Sequence, residues 1–101
     1  MIYKQLDKNY KYRHLAGAIY AREMEYFHYD FDRINFEHLV ANLPPSTWRD
    51  DVEKRLHDTK TQMSHVIAII DALYSQIDDE DAYAEAVAYN AQQREKEEAA
   101  K

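Results

Sequence analysis

Pro44-Pro45 is the one firm break in this chain. Neither proline can continue a helix, and each pushes the residue before it towards extended geometry. The stretch Asn42-Leu43-Pro44-Pro45-Ser46-Thr47 therefore reads as a turn. Ser46 or Thr47 can cap the next helix, and Asp50 and Asp51 suit the positive end of its dipole. On both sides apolar residues recur at alternating steps of four and three. Downstream they are Val52, Leu56, Thr59, Met63, Val66, Ile70, Leu73 and Ile77, with Thr59 the polar member. Upstream, Tyr20, Met24, Phe27, Phe31, Ile34 and His38 follow the same stepping. That spacing is the seam of paired helices. A short connection forces neighbouring helices antiparallel. The two stripes then share one register, with Tyr20 level with Ile70, Phe31 with Thr59 and His38 with Val52. Glu37 falls near Arg55 as a flanking ion pair.

The expected fold is all-α: an antiparallel helical hairpin with a short third helix, assembled into a bundle by self-association. One helical domain covers 1–90, with helix 1 over 12–42, helix 2 over 47–77 and helix 3 over 79–90. Residues 1–11 form an arm or an extension of helix 1. Residues 91–101 form a polar, charged tail that frays. The run Asp78-Asp79-Glu80-Asp81 supplies the acidic first turn of helix 3.

Composition removes whole classes of function. One glycine, Gly17, excludes Gly-rich phosphate loops, and the absence of cysteine excludes disulfides and thiolate metal sites. Gly17 falls on the helix 1 seam opposite Leu73, where it would allow close approach of another segment. The longest apolar run, Val66–Ile70, is far short of a bilayer span, and the start carries no apolar leader. No membrane is expected, and the location expected is the cytoplasm. Thirteen bases against nineteen acids give a net charge of −6. Residues 78–101 carry −5 of it, and the first thirteen residues are basic. Such a balance does not describe a nucleic-acid binder.

Helix 1 carries a second stripe, Leu15, Ile19, Tyr26, Tyr29, Phe36 and Val40, interrupted by Arg22 and Arg33. A helix packed on one partner shows one apolar stripe and a polar back. Two stripes predict a helix covered from both sides, by a second copy or a protein partner. The expected interface is Leu15, Ile19, Arg22, Tyr26, Tyr29, Arg33, Phe36 and Val40, with Ile67 and Ile69 from helix 2. Nine tyrosines among 101 residues agree with such a surface. The set Arg22, Arg33, Tyr26 and Tyr29 would equally clamp a small anion.

Catalysis is not expected. Five histidines are present, but Ser46, Ser64 and Ser75 lie in no nucleophile motif. The metal-like feature is Glu25-Tyr26-Phe27-His28, a Glu-x-x-His on a helix. It resembles one arm of a ferritin-like carboxylate site, which needs two such arms and two further glutamates. A symmetric dimer would double Glu25 and His28, with Glu53 or Glu23 completing the set. Glu25 lies off the seam, so a plain contact with His65 competes, and no metal or cofactor is expected. In size, compactness and tyrosine richness the chain also resembles small phage-encoded helical proteins that block a host defence or regulatory component. Some of those are hairpins that sequester cyclic nucleotides. The functional expectation is a non-enzymatic binding or inhibitory protein, with anion sequestration and metal binding as alternatives.

Overall fold

The structure, a computed structural model, describes the backbone of residues 2–100 and the side chains of residues 10–100. The fold is all-α: helix α1 spans Ile2–Asn42, α2 spans Thr47–Tyr74 and α3 spans Glu80–Ala100. Helix α1 runs unbroken from Ile2, so the stretch before residue 12 extends it and is no separate arm. The side chains of Ile2, Leu6 and the basic residues Lys4 and Lys8 lie outside the described residues. No described helix is long and apolar enough to cross a membrane.

The break falls at the two prolines. Leu43 N–H still donates to Leu39 O at 2.9 Å, and the chain then turns. Of the two candidate caps it is Ser46 that serves. Its Oγ accepts from Arg49 N–H at 3.1 Å, satisfying a donor that the first turn of a helix leaves free. Helix α2 ends three residues before the expected boundary, where Gln76 N–H bonds to Leu73 O and Ile77 N–H to Tyr74 O at 3.1 Å. These tighter bonds close its last turn. Asp79 caps α3, its Oδ1 accepting from Ala82 N–H at 3.1 Å. Helix α3 continues to Ala100, past the expected fraying point at 91, because Ala, Gln, Arg, Glu and Lys are strong helix formers.

Two compact units are resolved within this chain: residues 1–21 with 71–101, and residues 22–70. The first is built on a core of Tyr12, Leu15, Ala16, Ile19 and Ala86, with Leu73, Ile77, Ala82 and Tyr83 packed against it. Tyr12 and Ile19 are each only 1% exposed. Tyr12 also reaches the α2–α3 connection, its hydroxyl oxygen accepting from Asp78 N–H at 3.4 Å. An edge contact between the rings of Tyr74 and Tyr83, 6.2 Å apart, closes the side of this core.

The second unit pairs residues 22–42 of α1 with residues 47–70 of α2. Here α2 behaves as its spacing implies, burying Val52, Thr59, Met63 and Val66. Helix α1 does not. Met24, Phe27, Phe31, Ile34 and His38, expected at the seam, are exposed, Phe27 by 56% and Phe31 by 67%. The residues drawn in are Arg22, Tyr26, Tyr29, Arg33, Phe36 and Val40, all partly buried. The helix is thus turned the other way about its axis. The physical reason lies in the two arginines, whose charge alone would mark an outer face. Arg22 Nη1 donates to Glu25 Oε2 at 2.8 Å, and Arg33 forks onto Asp30 at 2.8 Å and Glu37 at 2.8 Å. Both charges are met at the edge of the stripe, so the aliphatic stems can lie against α2. Glu37 consequently meets Lys60, at 3.6 Å, and the expected contact with Arg55 is replaced.

Candidate functional site

The residues singled out from the sequence separate into three environments. Leu15 and Ile19 belong to the core of the first unit, which corrects their reading as a partner surface. They are covered from within the chain, by residues of α2, α3 and the connection between them. Arg22, Tyr26, Tyr29, Arg33, Phe36 and Val40 form the inner stripe of the second unit, which corrects the same reading for them. Ile67 and Ile69 are exposed on α2.

The anion clamp read from Arg22, Arg33, Tyr26 and Tyr29 is not assembled, because its charges are spent. Arg33 donates from Nε and Nη2 to Asp30 Oδ1 and from Nη1 to Glu37 Oε2. Hydrogen bonds to Asp30 and then to Glu37 raise its pKa above the ordinary value of arginine. A raised pKa favours the folded state at every pH below the unfolded value and fails only as pH passes the folded one. Both lie above the range in which proteins are studied, so this contribution is flat across ordinary pH.

The metal reading finds its residues apart. Glu25 is held by Arg22, Glu53 faces Arg49 Nε at 3.3 Å, and His28 is exposed. The Arg49–Glu53 pair has ion-pair distance without hydrogen-bond geometry, since that nitrogen makes no hydrogen bond. No group of three metal-ligating side chains converges among the described residues. His65, weighed as a contact for Glu25, is exposed. The serine hydroxyls are turned to the backbone: Ser46, Ser64 and Ser75 donate to the carbonyls of Pro44, Lys60 and Ala72. His38 lies against Asn42, whose amide nitrogen is 3.4 Å from its Nδ1.

Among the described residues, two features that face solvent bear on function. One is the outer stripe of the second unit, Met24, Phe27, Phe31, Ile34 and His38, which keeps the stepping of four and three. Two of the acids near it are paired within the chain, Asp30 with Arg33 and Glu37 with Arg33 and Lys60.

The other is a groove of about 450 Å³ in the first unit, between α1 and α3. Arg13, His14 and Gly17 line one wall, and Asn90, Gln93 and Arg94 the other. The Arg13 guanidinium carbon sits over the Tyr89 ring and that of Arg94 over the Tyr20 ring, each 3.7 Å from the ring centroid. Asn90 Nδ2 donates to Arg13 O at 2.9 Å and ties the walls together. Gly17 lies on the α1 wall, where a Cβ would sit at ordinary van der Waals distance, 4.0 Å, from Asn90 Nδ2. The segment facing Gly17 is α3, in place of Leu73, and the 4.0 Å spacing leaves room for a methyl group, so no glycine-dependent close approach is made there. Sequence reasoning missed this groove because its arginines and tyrosines are 76 and 74 positions apart (Arg13 to Tyr89, Tyr20 to Arg94), and no local spacing joins them.

No known family model, characterised protein or solved structure matches the chain.

Proposed function

We propose that this is a non-enzymatic binding protein that works as a symmetric self-associated assembly, paired through the outer stripe of α1. The observation that carries the reading is the exposure of Phe27, Phe31 and Ile34 along one helical line. Water contact on such a line is unfavourable, since burying each side chain contributes about 1.5–3 kcal/mol. Its step of four and three suits another helix with the same step, and a second copy offers one in the same chain. Asp30 and Glu37 on one flank of the line are paired internally, which lessens the repulsion between two copies of an acidic protein meeting there.

Sedimentation equilibrium between 1 and 100 µM (about the range in which such interfaces are populated) tests the reading. The wild type is expected at a multiple of 12.0 kDa, and Phe31→Asp at the single-chain mass with unchanged helicity. A single-chain mass for the wild type throughout, or a Phe31→Asp assembly as tight as the wild type, rejects it. A wild type that stays single-chain alone yet co-purifies with another protein through Phe31 would equally reject the second copy as occupant.

A further inference from the structure

In a chain of net charge −6, an arginine without a carboxylate needs a reason. Arg22, Arg33 and Arg49 each hold one. Arg55, Arg13 and Arg94 make no ion pair among the described residues; Arg55 is exposed on α2, whereas Arg13 and Arg94 share one groove, with Glu97 on the same rim as Arg94. Both guanidinium groups are instead laid on tyrosine rings, on opposite walls of one groove.

Stacking of this kind fixes a guanidinium plane while leaving its second face and its N–H edge free. The free edge is the fork that binds phosphate oxygens in pairs, and the free face is a platform for a flat ring. Asn90 spends its amide N–H on Arg13 O, so its carbonyl oxygen stays open to a donor on a ligand. Gln93 adds a further amide. On the α1 wall Gly17 contributes no side chain, so a ring can approach the helix backbone. The volume, about 450 Å³, is within the range of small-molecule sites, about 300–1,000 Å³.

We infer that this groove binds a small phosphate-bearing anion with a planar ring, a ligand of nucleotide chemistry. Arg13 and Arg94 hold the phosphate, their free faces and Gly17 accommodate the ring, and Asn90 reads its edge. All of these residues belong to the first unit, so the site does not depend on self-association through the outer stripe of the second.

Isothermal titration of the full chain with AMP, GMP, adenosine and inorganic phosphate tests the inference. AMP or GMP is expected to bind, with adenosine and inorganic phosphate each at least about tenfold weaker. Arg13→Gln and Arg94→Gln should each weaken the nucleotide by about tenfold or more. Gly17→Leu should abolish binding while keeping the helical circular dichroism, since leucine is a better helix former than glycine. Arg55→Gln, an exposed cation on α2, should bind as the wild type does. Absence of binding by both nucleotides at millimolar concentration overturns the inference. So does inorganic phosphate binding as tightly as AMP, or a loss in Arg55→Gln equal to that in the groove variants.

Discussion

Tyr12 has the largest fully buried side chain, together with Ile19, and it is the residue on which the first unit closes. Its ring fills the core, and its hydroxyl reaches the backbone N–H of Asp78 at 3.4 Å. The two contributions differ in size. A hydrogen bond at that length is weak, and removing it should cost less than about 1 kcal/mol. Removing the ring leaves a cavity and should cost about 3–5 kcal/mol. Equilibrium urea unfolding of Tyr12→Phe and Tyr12→Ala separates them, with the phenylalanine close to wild type and the alanine far below. A Tyr12→Phe as damaging as Tyr12→Ala would mean that the hydroxyl governs this corner. The signal for Tyr12 was present in the sequence, because it continues the stripe of Leu15 and Ile19 by one step of three.

At the scale of helices, legibility depended on whether the evidence was local. The proline break, a cap from Ser46 or Thr47 and the seam of α2 are properties of neighbouring residues, and the structure keeps them, with Ser46 as the cap and the seam buried from Val52 to Val66. The rotation of α1 is not local. Both of its stripes step by four and three, so both meet α2 in a common register. The inner one sets Val40 level with Val52, Phe36 with Leu56 and Tyr26 with Val66. It also sets Arg33 level with Thr59, matching the polar member of one stripe to the polar member of the other. Greasiness alone favoured the wrong face, because Met24, Phe27, Phe31 and Ile34 are individually more apolar than Arg22, Tyr26, Tyr29 and Arg33. Length was the better guide: counted from Tyr12 to Val40, the inner stripe outruns the outer. The caps make a separate test at this scale. Ser46→Ala and Asp79→Ala each remove the acceptor for a first-turn N–H, and each should cost about 1 kcal/mol. Thermal unfolding followed by circular dichroism measures both, and a loss confined to one would show that the other N–H finds a new acceptor.

For the molecule as a whole, the decisive quantity is how its stability depends on its own concentration. A chain that exposes Phe27, Phe31 and Ile34 in one line is left with a cost that either solvent bears or a second copy removes. In the second case unfolding is coupled to dissociation, and mass action makes the folded state more stable as protein is added. A hundredfold rise in concentration is then worth about 2.7 kcal/mol. For an assembly of roughly 200 residues that shifts Tm by about 5–10 °C. Scans at 1 and 100 µM (about the two ends of that hundredfold step) should differ by that amount in the wild type and coincide in Phe31→Asp. The same pair of scans should still differ in Gly17→Leu, because the groove between α1 and α3 takes no part in the pairing. Hydrogen exchange locates the effect. Amides in residues 22–42 should gain protection as concentration rises, since that segment carries the line being covered. Identical Tm values across the range, with exchange in 22–42 unchanged, would leave the outer stripe as a wet surface, and the pairing through it would be abandoned.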